Sequence, residues 1–483
     1  MSLLTKNQPL VIDNENPFKD DCLGRKTSIE NLTTLVQSLS QPFVISIEAP
    51  WGCGKTTYIK MWQQYLANMS HPSLYFNAWE NDYAEDPLIA FLGEMNKLLE
   101  ADKFKGNKAN FIKSLTKVQE FGGKIIKKAL PLTVQIVTQG VISKEVVKDL
   151  PNLLAESNDE IATALGEYAK NSIKSYELEK NSIDAFRDEL KKFAEMISSE
   201  SGKKPLVIFV DELDRCRPNY AIVLLERIKH LFNVPGVVFI LSLDRKQLEN
   251  AVAAMYGDEI DSSGYLARFI DYRFRLPEGT TENFVNYLHK RLSLDEVFDQ
   301  KLASGGNSNE EDDFIRYVKK YFSIYGLSLR SQEQCFTEIN VVLRLVPGKA
   351  NIFPILLALL VTIKIVDPEI YEKFAQKNIS PEELINSMPS SQLKEEYLSS
   401  FDGGYLEGLL YRYLCSENQQ SQKSQEYIEI RDTDINMREN PVNKDRIRGF
   451  LHVTESERFV YGLTAFIALL IKKLSIIDEI TIQ

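Results

Sequence analysis

The sequence predicts an α/β fold: a doubly wound parallel sheet with a large helical insertion and a helical C-terminal region. Three observations carry that expectation. An apolar run, Phe43-Val44-Ile45-Ser46-Ile47, feeds the loop Ala49-Pro50-Trp51-Gly52-Cys53-Gly54-Lys55-Thr56-Thr57, which opens a helix-like segment. Two later runs, Leu206-Val207-Ile208-Phe209-Val210 and Val237-Val238-Phe239-Ile240-Leu241, are continuously apolar, as strands buried on both faces of a parallel sheet are. From about residue 88 to residue 200, and again after Glu278, helical periodicity replaces the strand signal.

The elements follow in order. Asp21-Cys22-Leu23-Gly24-Arg25 leads into the periodic Ile29, Leu32, Leu35, Val36 and Leu39, a loop and amphipathic helix placed to cover a nucleotide base. After the first strand and loop, a helix runs through Ile59, Met61, Trp62 and Tyr65, and a second strand, Ser73-Leu74-Tyr75-Phe76-Asn77, ends in Ala78-Trp79-Glu80. A helix carrying Leu224, Leu225, Ile228 and Leu231 separates the two buried strands. Tyr272-Arg273-Phe274-Arg275-Leu276-Pro277 alternates and ends at proline, which suits a fifth strand nearer a sheet edge. Strands alternating with helices imply the doubly wound sheet.

At 483 residues the chain exceeds one ordinary core. The expected division is a nucleotide-binding core at 1–87 and 204–280, a helical insertion at 88–203, a helical lid at 281–350 and a C-terminal helical domain at 351–483. Ala303 to Glu311 reads as a flexible loop by composition, and Ser416 to Ser424 as a second polar stretch.

Hydrophobic content of 44% and charged content of 26% place the chain among soluble globular proteins. The net charge of −11 argues against a dedicated nucleic-acid coat. The lysine-rich stretch Lys103 to Lys128 reads first as a solvated helix face, with an anionic partner as the alternative. Five scattered cysteines without CxxC spacing fit a reducing compartment, and the start Met1-Ser2-Leu3-Leu4-Thr5-Lys6 lacks the pattern of a signal peptide, so a cytoplasmic location is expected. The apolar runs Ala129–Ser143, Phe353–Ile363 and Phe459–Ile471 are shorter than the ~20 residues of a membrane span and read as buried helices, with peripheral membrane contact as the alternative.

The chemistry concentrates in two places. The loop from Pro50 through Trp51, Gly52, Cys53, Gly54, Lys55, Thr56 and Thr57 can cradle phosphate oxygens on backbone N–H groups, with Lys55 reaching the β and γ phosphates and the Thr56 hydroxyl ligating Mg²⁺. The pattern usually opens on glycine, and here that position is Ala49. The second place is Asp211-Glu212-Leu213-Asp214-Arg215, directly after a buried strand. Asp211 is placed to hold Mg²⁺ through water, and Glu212 to polarise an attacking water. Asp214 and Arg215 read equally as a local ion pair or cap and as catalytic groups. Arg217, Arg268 and Arg330 are candidates to stabilise charge at the γ phosphate. Asp244 reads as a helix cap slightly before a γ-phosphate sensor, Cys53 as a thiol near a helix N-terminus, and Trp51 and Trp79 as packing aromatics rather than base stackers.

Together these residues resemble the KAP P-loop NTPases, a branch of the STAND group within the AAA-like class. The resemblance rests on Pro50 to Thr56, Phe76-Asn77-Ala78-Trp79, Asp211-Glu212-Leu213-Asp214-Arg215-Cys216-Arg217-Pro218, Leu243-Asp244-Arg245 and the lid-like Ser328 to Phe336. It spans roughly residues 20 to 345. It implies a P-loop NTPase core using ATP and Mg²⁺, with Lys55 and Thr56 as phosphate and metal contacts, Asp211 as the metal carboxylate and Arg330 as a lid sensor. Arg25 joins the nucleotide-binding set and Arg268 the catalytic set. Where the family often has a second aspartate, this chain has Glu212, and where many members carry transmembrane helices in the insertion, it has only Ala129–Ser143. The resemblance also implies a bacterial setting with links to phage exclusion.

The expected function is therefore an ATP-hydrolysing switch acting on a protein partner or on a second copy of the chain. A nucleic-acid-dependent motor and a non-hydrolysing nucleotide-bound scaffold are the alternatives. ATP is expected over GTP because no Asn-Lys-x-Asp motif occurs.

Overall fold

The computed structural model describes residues 11–97, 108–128, 159–303, 308–346, 352–433, 441–456 and 459–481. Two compact units divide them, Val11–Pro277 and Glu278–Gln483.

The first unit is built on five parallel strands: β1 (Phe43–Glu48), β2 (Ser73–Asn77), β3 (Leu206–Asp211), β4 (Val237–Leu243) and β5 (Tyr272–Arg275). Their spatial order is β2-β3-β4-β1-β5. Every residue of β3 and of β4 is buried, which is why both read as unbroken apolar runs. The alternating β5 pairs only with β1, in the register Ile45↔Tyr272 to Glu48↔Arg275, and so occupies the edge expected of it. Because all pairs are parallel, every strand delivers its C-terminal residue to the same edge of the sheet.

Helices α1 (Lys26–Ser38), α2 (Lys55–Asn68), α3 (Pro87–Glu94), α4 (Lys108–Lys128), α5 (Asp159–Glu200), α6 (Pro218–Leu231), α7 (Arg245–Tyr256) and the short α8 (Ser262–Leu266) belong to the unit. The period-3.6 stripe of α1 buries Ile29, Leu32 and Val36. Fully buried Trp62 of α2 stacks edge-on against Phe209 and donates its indole N–H to Thr33 Oγ1 at 2.9 Å, tying α1 to α2. Burial of such a side chain contributes about 2–3 kcal/mol, and the indole N–H keeps a partner.

The inserted helices share the core of the sheet. Phe111 and Leu115 of α4 and Phe186, Leu190 and Phe193 of α5 belong to one hydrophobic cluster with Leu74, Phe76, Phe91, Leu206 and Ile208. On α4 the described lysine side chains, Lys113, Lys117 and Lys124, are exposed, with Lys117 3.9 Å from Glu189 and Lys124 over the Phe121 ring. They form the solvated face. Lys103 and Lys105 lie outside the described residues, as does the run Ala129–Ser143.

The second unit is helical. Its centre is the helix Pro354–Val366, buried from Ile355 to Ile363, which accounts for the apolar run there. The run from Phe459 starts the helix Phe459–Thr481, which buries Leu463, Phe466, Ile467, Leu470 and Leu474. Among the described residues no helix is long and apolar enough to cross a membrane. One composition-based expectation is corrected, and one stretch is given its structure. Glu310 and Glu311 open the helix Glu310–Ile324, where four acidic residues in the first turn complement the helix dipole. Ser416–Ser424 runs into the helix Glu417–Thr433, whose polar face is held by pairs such as Lys423–Glu426 at 3.0 Å.

Candidate nucleotide-binding site

Three strand ends converge on one edge of the sheet. The loop after β1, Asp211 at the end of β3 with Glu212 after it, and Asp244 after β4 all lie there, since Asn77 pairs with Asp211 and Glu48 with Leu243 in register.

The loop turns on two residues in the left-handed region, Gly52 at φ 79° and Gly54 at φ 75°. Ala49 has no such demand: it is buried and its N–H donates to Leu243 O at 3.3 Å, continuing the sheet. The glycine requirement therefore sits where the backbone curls, and alanine fits at the entry. Gly54 is the N-cap of α2 and has no side chain to satisfy the first-turn N–H groups. Those donors and the positive end of the helix dipole make an anion site. Thr56 and Thr57 stand half-buried in that first turn. Lys55 Nζ donates to Ala49 O at 2.7 Å and Pro50 O at 3.2 Å, so its ammonium is held along the loop.

Arg25 reaches this loop by a different route from the one its sequence position implies. Only 4% exposed, it donates from Nη1 to Gly54 O at 2.7 Å and from Nη2 to Cys53 O at 2.6 Å. Its guanidinium braces the two carbonyls that flank the turn. A Cβ on Gly54 would lie 3.1 Å from Arg25 Nη1, so the fork also fills the space behind the glycine.

At the β3 end Asp211 is buried, and both its oxygens are taken: Tyr75 Oη donates to Oδ2 and the Glu212 N–H to Oδ1, each at 3.0 Å. Glu212 adopts φ 60°, a left-handed conformation costing a side-chain-bearing residue about 1–2 kcal/mol. The strain accompanies the turn from β3 into the short 3-10 helix Leu213–Arg215. Burial pushes the Glu212 carboxyl above its ordinary range while the nearby Arg215 guanidinium pulls it back. Arg215 pairs with Glu212 at 2.9 Å, and Asn77 Nδ2 donates to the other oxygen at 3.3 Å.

Asp214 is linked to the loop across the sheet edge, its Oδ2 accepting from the Trp51 indole N–H. The expectation that Trp51 and Trp79 are packing aromatics is corrected: they are 48% and 53% exposed. Their polar and π faces are used instead, Trp51 toward Asp214 and Trp79 beneath the Arg215 guanidinium at 5.6 Å.

The remaining candidates are placed as follows. Asp244 caps α7, accepting from the Lys246 N–H at 3.1 Å. The Arg217 side chain is committed to Asp82 through Nε–Oδ1 at 2.9 Å. Arg268 is exposed, with its guanidinium 5.9 Å from the Tyr265 ring. Arg330 is exposed in the first turn of the helix Leu329–Leu345 in the second unit, where its charge acts on Glu333. Cys53 is half-buried in the loop.

Sequence reasoning missed Tyr75 and Glu48. Glu48 ends β1 just before the loop and accepts from Arg273 at 2.9 Å and 3.0 Å and from Ser46 Oγ at 2.8 Å, with Arg245 3.5 Å away. An acidic residue closing a buried strand was the available signal. Thr56 and Asp211 offer one hydroxyl and one carboxylate, a donor set suited to Mg²⁺, which keeps waters and phosphate oxygens as its other ligands.

A family model described as "KAP family P-loop domain" matches residues 25–439. Among curated proteins, the "Phage T7 exclusion protein" of Escherichia coli (strain K12) is 26% identical over 168 residues, 34% of this chain and 22% of that protein. The matched stretch thus spans under a quarter of that relative's length. Among solved structures, the Aeropyrum pernix ORC2 protein in its ADP form aligns over 82% of this chain and 83% of that one, at 14% identity and a TM-score of 0.32. The same protein in its ADPNP-ADP complexes aligns over 94% and 95%, at 12% identity and a TM-score of 0.31.

Proposed function

The chain belongs to the KAP family of P-loop NTPases, and from that premise we propose that it is an ATP-binding and ATP-hydrolysing switch that acts on a protein partner in bacterial defence against phage. The observation that carries the reading is the convergence of the Gly52–Gly54 turn, the uncapped start of α2 and the Asp211-Glu212 pair on one edge of a parallel sheet.

The roles follow from chemistry. The loop N–H groups and Lys55 bind the phosphates, and Thr56 and Asp211 hold Mg²⁺, which neutralises phosphate charge when bound. Glu212 orients and polarises the attacking water once its carboxylate is free of Arg215. Arg25 keeps the loop in its binding conformation. Arg268 and Arg330 remain proposals for the cation at the γ phosphate. The defence role is proposed by likeness to the phage exclusion protein.

The test is turnover by the purified full chain with ATP and Mg²⁺. Lys55→Ala should abolish nucleotide binding, whereas Glu212→Gln should bind ATP and lose at least about a hundredfold in rate. A wild type that behaves like Lys55→Ala in both measurements refutes the reading. For the biological role, expression of the wild type, but not of Lys55→Ala, should reduce phage plating.

A further inference from the structure

Trp51 in the loop, read from the sequence as a packing aromatic, and Asp214 after β3, whose role the sequence left open, are 163 positions apart and form one hydrogen bond. Asp214 is well positioned to do more than accept it. Burial is the main influence on its carboxyl and raises it, and the Lys55 ammonium is the largest opposing one, followed by the Trp51 indole and the backbone amides of Asp214 and Asp244. The group is therefore tied to the loop through Trp51 and is acted on electrostatically by Lys55 at the start of α2 and by the Asp244 amide at the β4 end. Its other oxygen, Oδ1, is buried, on the side of the Asp214 and Asp244 backbone amides. A carboxylate shielded from water costs free energy unless neighbouring donors or a nearby cation offset it.

We propose that Asp214 is a positioning residue of the nucleotide site: it pins the phosphate loop through Trp51. The proposal rests on the reading of the chain as a nucleotide-binding protein. Trp51 acts as the tether. Its ring is half exposed, so it contributes little to the core, and its indole N–H fixes the loop residue just before Gly52. With the loop tied at Trp51 from one side and at Cys53 and Gly54 by Arg25 from the other, its amides are preorganised before phosphate arrives.

The test is a double-mutant cycle on the full chain, read by titration with a fluorescent ADP analogue and by thermal unfolding. Trp51→Phe and Asp214→Ala should each weaken nucleotide binding about tenfold, and the double variant should be no weaker than the worse single one. Asp214→Asn keeps an acceptor for the indole and removes only the charge set against Lys55, so its loss should be smaller. It also guards against a misfolded Asp214→Ala. The melting temperature of Trp51→Phe without nucleotide should match the wild type, which separates loop positioning from general stability.

Additive losses, or dissociation constants unchanged in Trp51→Phe and Asp214→Asn, overturn the inference while leaving the nucleotide-binding reading in place. A wild type that binds no nucleotide overturns both. Because the cycle is read on binding, coupled losses support the inference even if turnover is absent.

Discussion

Replacing Arg25 with alanine separates two meanings of a nucleotide-site arginine. A residue that touches only the nucleotide costs affinity when removed and leaves the nucleotide-free protein as stable as before. Arg25 instead makes two charge-assisted bonds at 2.6 and 2.7 Å to loop carbonyls while 4% exposed. Hydrogen bonds to charged groups contribute about 1.5–3 kcal/mol each. Water entering the vacated space recovers part of that sum. The net loss is about 3 kcal/mol, or roughly 6–12 °C in melting temperature for a unit of this size. Arg25→Ala should therefore unfold earlier in urea without nucleotide, and also bind ADP more weakly because the Gly54 turn is no longer held. Arg25→Lys keeps charge but not the fork, and should lie between. Unfolding of the nucleotide-free Arg25→Ala within about 0.5 kcal/mol of wild type, alongside a large loss of affinity, would refute the bracing role.

Three further outcomes follow. Gly54→Ala places a side chain at φ 75° and 3.1 Å from Arg25 Nη1, and should cost about 1–3 kcal/mol in denaturant unfolding together with most nucleotide affinity. In Arg215→Ala the Glu212 carboxyl loses the cation that lowers it and keeps the burial that raises it, so the acid limb of the ATPase pH profile should move to higher pH. An unmoved limb would mean that Glu212 does not set it. In the second unit, Gly404→Ala would put a Cβ 1.8 Å from the Arg446 carbonyl where the helices Phe401–Leu414 and Pro441–Thr454 cross, and should lower the melting temperature without changing ADP affinity.

What the sequence revealed and what it hid divide along a physical line. Buried parallel strands are visible because both faces demand apolar residues, and the phosphate loop because backbone curvature demands glycine, here Gly52 and Gly54. The edge position of β5 was legible from its alternation and Pro277. The mismatch at Ala49 was legible as a departure and as a tolerable one, because Gly52 and Gly54 remain; what was hidden is the bond from the Ala49 N–H to Leu243 O that makes it part of the sheet. Long-range polar contacts were equally hidden. Nothing local announces that Tyr75 bonds Asp211, that Trp51 bonds Asp214, or that Arg25 turns to the loop carbonyls. The polar stretch Ser416–Ser424 gave no sign of its helix, because i,i+3 and i,i+4 side-chain pairs sustain it with little apolar periodicity.

The geometry at Glu212 bears on how hydrolysis would be restrained under the proposed function. Glu212 is held in a strained backbone conformation, its carboxylate shared between Arg215 and Asn77, while Arg215 lies over the exposed ring of Trp79. A general base occupied by a guanidinium cannot take a proton from water until that pair opens. The pair is only partly shielded, with the Arg215 side chain 33% exposed, so its strength is that of a partly solvated bridge, about 1 kcal/mol or less. That is small enough for γ-phosphate charge or a partner pressing on Trp79 to break it. It is also large enough to lower the population of the free carboxylate by up to about fivefold. Under the proposed function, Trp79→Ala should raise basal turnover by no more than that factor while leaving ADP affinity unchanged. A rise of a hundredfold would show that the restraint on Glu212 lies elsewhere in the chain.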